Sequence, residues 1–258
     1  MQLMFQDSDM LQVTDKIELI ADHRSLEKKL VSLGPDNINR PVRIAFVNAH
    51  AFNLGYSNSD FRHHILEADH VFRDGSGMKI LYKMQGQNPG LNLNGTDLIP
   101  RIIKLYQGRK VALFGTSQLY LDRAAKAICY EGAEPVLLID GFQKDEVYTE
   151  AARRTRTPLI ILAMGMPKQE RVAALLAKNL DYPCLIVCGG AILDFLGGKV
   201  KRAPVAFRRT GMEWLYRFML EPKRLFRRYM IGNFLFLCRA ACLTLSRKKS
   251  GAMIRAQR

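Results

Sequence analysis

The sequence of 258 residues is short of cysteines, acids and long apolar runs. Its cysteines, Cys129, Cys184, Cys188, Cys238 and Cys242, are five, an odd number, and none forms a CxxC pair. That pattern gives no disulfide framework, and with no His pair at ligand spacing it gives no zinc site, so a reduced, cytoplasmic protein is expected. His63 and His64 are neighbours and cannot share a helix face, which makes them poor joint ligands. The DxD sequence Asp7-Ser8-Asp9 lies far from any expected strand end, and no metal site is expected. Neither GxGxxG nor GxxxxGK[ST] occurs, so a dinucleotide fingerprint and a P-loop are both unsupported. The opening MQLMFQDSDM has no basic region leading into an apolar run, so no secretory signal is expected. The most apolar stretch, residues 229–245, is interrupted by Arg239 and Gly232-Asn233. It reads as a segment that lies on a membrane and does not span it.

Acids are scarce in one place only. The formal net charge is +15, and residues 199–258 carry 16 Lys and Arg against two acids, Glu213 and Glu221, while the first 198 residues are nearly neutral. Charge concentrated in this way predicts an anionic partner for the C-terminal part.

Residues 42–47, 110–114, 136–139, 159–163 and 184–188 are near-continuous apolar runs, and a shorter one precedes Arg73. Each runs into glycine or polar residues, and helical spacing fills the intervals: residues 22–33, 61–68, 119–131 and 146–156, and the segments after Gly77, Gly95 and Gly165. Strands buried on both faces and alternating with helices predict an α/β fold, a Rossmann-like, mostly parallel sheet with helices on both faces. Residues 1–40 are expected to cover one edge of the sheet, 41–199 to form the Rossmann-like domain, and 200–258 to form a basic amphipathic C-terminal appendage outside it.

Ligands of such sheets sit beyond the carboxyl ends of the strands. Gly115, Gly165, Gly189 and Gly190 lie there, where they let the backbone approach a phosphate and the following helix N-termini supply NH donors. Asp74 in RDGSG and Asp194 in GGAILDF are either turn residues or functional carboxylates, one a general base and the other a ribose or base contact. After Gly95, Thr96 or Asp97 is the expected helix cap. The Gly165-Met166-Pro167 turn presents Lys168, Gln169 and Glu170 at a helix start. The helix dipole disfavours lysine there unless an anion is bound, which predicts an anion site. Arg202, Arg208, Arg209, Arg217, Arg224, Arg227 and Arg228 form either a solvated basic face or, in part, a diphosphate clamp. Their interleaving with Phe207, Trp214, Tyr216, Phe218, Phe226 and Tyr229 suits anionic lipid or nucleic acid.

Together, RDGSG at 73–77, NGTDL at 94–98, FGTS at 114–117, GMPKQE at 165–170, CGGAILDFLGGKVKRAP at 188–204 and GMEWLYRFMLEPKRLFRRY at 211–229 resemble, in this order and following Asn48, the bacterial WecG/TagA/CpsF glycosyltransferases. The resemblance covers about residues 40–235. It implies an inverting, metal-independent enzyme, without a cofactor, that moves a sugar from a UDP-sugar to a polyprenyl-diphosphate-linked glycan at the cytoplasmic face of the membrane, on which it is peripheral. It further implies Asp74 as general base, grouped with Asn48. The substrate-binding set it implies is Gly75, Asn94, Gly95, Asp97, Gly115, Thr116, Gly165, Pro167, Lys168, Gln169, Glu170, Gly189, Gly190, Asp194 and Arg202, with Arg217, Arg224 and Arg228 near the diphosphate. NLNGTDL looks closer to the exopolysaccharide branch, whose members add glucose or related sugars, than to the N-acetylmannosamine-transferring branch, which leaves UDP-glucose and UDP-N-acetylmannosamine as the candidate donors. The chain departs from the family pattern at Phe46, where a Thr is frequent, and at Arg73, where a small or apolar residue is frequent. A nucleic-acid-binding protein using the basic tail is the competing reading. It leaves the strand-end acids and PKQE without a role, so no nucleic acid is expected, and the anionic partner is a membrane surface.

Overall fold

A computed structural model describes residues 2–256. In chain order the elements are α1 Gln2–Lys16, α2 His23–Ser32, β1 Pro41–Val47, α3 Ala49–Ser57, α4 Ser59–Leu66, β2 His70–Arg73, α5 Gly75–Met84, α6 Gly95–Leu105, β3 Lys110–Gly115 and α7 Gln118–Tyr130. There follow β4 Glu134–Ile139, α8 Asp145–Thr155, β5 Leu159–Ala163, α9 Lys168–Asn179, β6 Cys184–Cys188, α10 Ile192–Leu196, α11 Val205–Thr210, α12 Glu213–Leu220 and α13 Pro222–Phe226. A π-helical turn, Arg227–Ile231, leads without a break into α14, Gly232–Ala256.

The six strands form one parallel sheet in the order β2-β1-β6-β5-β3-β4. Successive side chains point to opposite faces. Ile44, Phe46, Val111, Leu113, Leu159, Ile161, Leu185 and Val187 therefore share one core with residues of α2, α6, α7 and α10. Their alternates divide the other face. Ala45, Val47 and Val71 pack with α1, α3, α4, α5 and α14, while Ala112, Phe114, Ile160, Leu162 and Ile186 pack with α8 and α9. This is the expected α/β sheet with helices on both faces. The N-terminal segment reaches the edge strand, where Glu18 bridges in parallel to Phe72.

One local reading changes. Asn94, and neither Thr96 nor Asp97, caps α6: its Oδ1 accepts the Asp97 NH at 2.9 Å. Phe46, at the position of the frequent Thr, is buried and packs against Phe72, with ring centroids 6.1 Å apart, so it offers no polar contact to a ligand.

The C-terminal segment adds no strand among the described residues, yet its last helix is part of the core. Phe236, Ala240 and Leu243 are buried against α3, α5 and α1, and Phe236 meets Phe52 edge-on at 5.2 Å. Polar contacts reinforce this seat. Arg239 donates to Asn53 O at 3.0 Å and lies over the Tyr56 ring, Asn53 donates to Gly232 O at 2.7 Å, Ser246 donates to Asp7 at 2.8 Å, and Arg247 pairs with Asp15. By length and composition, the continuous helix Pro222–Lys249 is long and apolar enough to cross a membrane, against the expectation from its interruptions. The opposite side of this helix exposes Phe226, Met230, Ile231, Phe234 and Leu237.

This division of labour gives a measurable contrast. Phe236→Ala should lower unfolding free energy by about 3–5 kcal/mol in denaturant titrations, whereas Phe234→Ala, on the exposed side, should change it by less than about 0.5 kcal/mol.

Candidate active site

The parallel sheet brings the ends of β1, β2, β3, β5 and β6 to one edge, and Asn48, Asp74, Thr116, Gly165 and Gly189 follow them directly or within one residue. Asn48 uses both ends of its amide. Its Oδ1 caps α3 by accepting the His50 and Ala51 NH groups at 3.0 Å, which turns its Nδ2 towards Asp74 Oδ2 at 3.2 Å. Asp74 occupies the cap position of α5, yet its carboxylate makes no capping bond. The plain structural role for this acid is therefore not the one it plays.

Asp74 is only partly exposed at this edge of the sheet. Desolvation raises its pKa above the usual carboxylate value, opposed by the Asn48 hydrogen bond and by the charges of Arg228, Arg73 and Arg217. Arg217 and Arg228 form no ion pair among the described residues; Arg217 lies over the Phe195 ring at 5.5 Å and Arg228 over Tyr229 at 5.8 Å. Burial lowers the pKa of Arg228, and Arg217 lowers it further. Two mutually repelling guanidinium groups beside a carboxylate are a ready site for a multiply charged anion. Arg224, the third expected member, points elsewhere: it is exposed and paired in bidentate fashion with Glu221.

A second cluster surrounds Asp194. Its Oδ1 accepts from Thr116 Oγ1 at 2.5 Å and pairs with Lys199 at 3.2 Å. Thr116 is held at φ 48°, a conformation uncommon for a threonine, directly after β3. With its carboxylate already bonded, Asp194 suits a fixed polar contact better than proton abstraction. A third cluster joins α6 to the C-terminal segment. Asn94 donates to Asp97 Oδ2 at 2.7 Å, and Asp97 pairs with Arg202 and, at 4.0 Å, with Arg208. Burial would raise the Asp97 pKa, but the bonds from Arg202 and Asn94 hold it below the usual range.

The PKQE residues sit mostly beneath the site. Lys168, expected to meet an anion, donates instead to the carbonyls of Gly141 at 2.9 Å and Gln143 at 2.7 Å, anchoring the loop after β4. Gln169 and Glu170 are 1% and 2% exposed, too deep to touch a ligand. Gln169 accepts the Gly190 NH at 3.0 Å and donates to Glu170 at 2.7 Å. These bonds fix Gly190 at φ 60° with open space where a Cβ would stand, so the backbone after β6 is both rigid and approachable. Gly75 and Gly165 lie at the open ends of their strands, Gly95 opens α6 beside Gly189 O, Pro167 precedes α9, and Gly115 ends β3 against Ala163.

Sequence reasoning missed Glu213. This carboxylate on α12 has its pKa raised by burial, with Arg202 lowering it and Asp74 and Asp97 raising it, which puts it among the cleft groups. Its signal was available: it is one of two acids in the basic tail. No group of three or more His, Cys, Asp or Glu placed to hold a metal occurs among the described residues.

The profile of the Glycosyl transferase WecG/TagA/CpsF family matches residues 24–250. The chain belongs to this family of glycosyltransferases. Among its relatives, the N-acetylglucosaminyldiphosphoundecaprenol N-acetyl-beta-D-mannosaminyltransferase of Staphylococcus aureus (strain NCTC 8325 / PS 47) is 23% identical over 240 residues, covering 90% of this chain and 88% of the relative. The protein of the same name from Bacillus spizizenii (strain ATCC 23059 / NRRL B-14472 / W23) is 28% identical over 162 residues, 61% of this chain and 63% of that one. These relatives carry the name of the N-acetylmannosamine-transferring branch and lend nothing to the exopolysaccharide branch.

Burial lifts the Glu170 carboxyl from its ordinary value of 4.5 to about 7. Between those values the folded WecG/TagA/CpsF protein keeps a proton that the unfolded chain has released, so stability falls as pH rises through this window. Unfolding free energy should drop by up to about 3 kcal/mol between pH 5 and 8, and Glu170→Gln should flatten that slope in melts across the range.

Proposed function

We propose that this glycosyltransferase moves a hexose from a UDP-sugar to a polyprenyl-diphosphate-linked acceptor, with inversion, at the cytoplasmic face of the membrane. The observation that carries the reading is the uncapped Asp74 carboxylate, aimed by Asn48 and faced by Arg73, Arg217 and Arg228. As the acceptor oxygen attacks the anomeric carbon, Asp74 takes the hydroxyl proton, and the bond from that carbon to the UDP oxygen breaks with its electron pair leaving on UDP. One displacement inverts the centre. The growing negative charge on the diphosphate meets Arg217, Arg228 and the strand-end amides at Gly190, in place of a metal ion. Asn94, Asp97 and Arg202 would hold the junction between sheet and tail in register, and Thr116 with Asp194 would offer hydroxyl and carboxylate contacts to the nucleotide. The names of the relatives favour UDP-N-acetylmannosamine over UDP-glucose as donor.

Release of UDP from a panel of UDP-sugars with a lipid-diphosphate acceptor tests this directly. Asp74→Asn should cut turnover by about two to four orders of magnitude with little change in donor affinity, and EDTA should leave the wild-type rate intact. Near-normal turnover in the folded variant would remove Asp74 from its role, and loss on chelation with rescue by magnesium or manganese would replace the arginines in theirs.

The continuous helix through α13 and α14 supports docking on a bilayer surface more than spanning it. Phe236, Ala240 and Leu243 are already committed to the core and Arg239 to Asn53, which leaves Phe226, Met230, Ile231 and Phe234 for lipid, flanked by Lys223, Arg224 and Arg227. Basic residues at an anionic surface add about 1 kcal/mol each, so vesicle binding should weaken with salt. Phe234→Glu with Ile231→Glu should abolish co-sedimentation with anionic vesicles while the fold persists. Preference for DNA over such vesicles at physiological salt would instead favour the nucleic-acid reading. Cutting the chain before Arg202 would open the core at Phe236, Ala240 and Leu243.

A further inference from the structure

Arg73 is 2% exposed, and among the described residues no carboxylate bonds its guanidinium. It is satisfied by carbonyls: Nε donates to Pro89 O at 2.9 Å, Nη2 to Gly90 O at 3.2 Å, and Nη1 to Gly75 O at 2.9 Å. The same short loop returns two bonds. Asn92 Oδ1 accepts the Gly75 NH at 2.8 Å, and the Leu93 NH donates to Arg73 O at 3.1 Å. The loop is itself pinned from behind, since the Leu91 NH donates to Ile20 O at 2.7 Å. Gly90 stands at φ 61° so close to Ile20 that a Cβ would come within 2.4 Å of its carbonyl oxygen. A rigid strap thus runs from the N-terminal segment across residues 89–93 to the turn that carries Asp74.

Burying a guanidinium is costly unless its donors are met, and a lysine or a neutral side chain would fix this turn with fewer bonds. We propose that Arg73 is a positioning residue for the transfer reaction: its buried guanidinium clamps the Asp74–Gly75 turn to the Pro89–Gly90 loop and lays a fixed positive charge behind Asp74. The inference rests on the reading of Asp74 as general base. The clamp sets where the carboxylate points, and the charge favours its ionised form. The other groups facing Asp74 are Asn48 from the end of β1, Arg217 and Glu213 from α12, and Arg228 from the π-helical turn. Arg217 and Arg228 share the electrostatic task, but they belong to the C-terminal segment and are open to a ligand, so their charge is partly neutralised when a diphosphate binds. The charge of Arg73 lies behind the turn, away from that neutralisation.

The test is steady-state kinetics of the full-length protein from pH 5 to 9, with UDP-N-acetylmannosamine and a polyprenyl-diphosphate-linked acceptor, for Arg73→Met, Arg73→Lys and Asp74→Asn. Arg73→Met should lower kcat by about 10- to 100-fold with donor KM within about threefold, and should move the acid limb of the kcat profile upwards by about one pH unit. Arg73→Lys should keep the acid limb near that of wild type, because the charge remains, and still lose about tenfold in kcat, because the three-pronged clamp is gone. If Arg73→Met does not fold, the Lys variant decides alone, and a wild-type kcat in it overturns the proposal. Unchanged kcat and acid limb in both variants, beside an inactive Asp74→Asn, overturns it as well. Parallel losses of kcat, donor affinity and melting temperature would make Arg73 merely structural. Full turnover by Asp74→Asn would instead remove the general-base reading, and with it the reaction that Arg73 is argued to serve.

Discussion

Six strands that all run the same way impose one requirement from which most of this structure follows. Each strand between two helical layers must be apolar on both faces, so polar side chains are driven off the strands to their ends. Because every strand ends on the same edge, the displaced polar groups collect there. Asn48, Asp74, Thr116 and the Gly189–Gly190 pair follow four different strands and so lie along one edge of the sheet. The cleft follows from how the core is filled.

That logic explains what could be read from residues alone. The apolar runs, the glycines after them and the acid in RDGSG are each local signals, and the strands, helices and position of Asp74 follow from them. Other features depend on contacts between distant segments, which spacing does not encode. Asn94, Thr96 and Asp97 all suit a cap; the backbone is extended at Asn94 and helical after it, so Asn94 caps, while the Asp97 carboxylate bonds Asn94 and Arg202. Gln169 and Glu170 look like surface residues at a helix start. Both are buried, Gln169 accepting the Gly190 NH, 21 residues on, and donating to Glu170. Lys168, at a helix start where an anion would suit it, is held by two carbonyls after β4.

The basic tail shows the same limit. Its charge count is correct as an average but hides three environments: arginines turned to carboxylates of the cleft, an exposed pair within one helix at Arg224 and Glu221, and a buried seat for α14. Arg239, which in the sequence merely interrupts an apolar stretch, is the residue that ties that stretch to α3. The relatives fix the family, and their names alone do not fix the hexose that this chain transfers.

The first and last helices meet: Asp7 receives Ser246, and Asp15 receives Arg247. During synthesis the layer beneath β1 and β2 therefore waits, with Met10, Val13 and Phe52 uncovered, until residues some 230 positions later leave the ribosome. Arg217, Arg228 and the exposed apolar side chains of α14 are made in that same stretch. A nascent chain consequently lacks one layer of its core, and Arg217 and Arg228 beside Asp74, until the C-terminal helices are made.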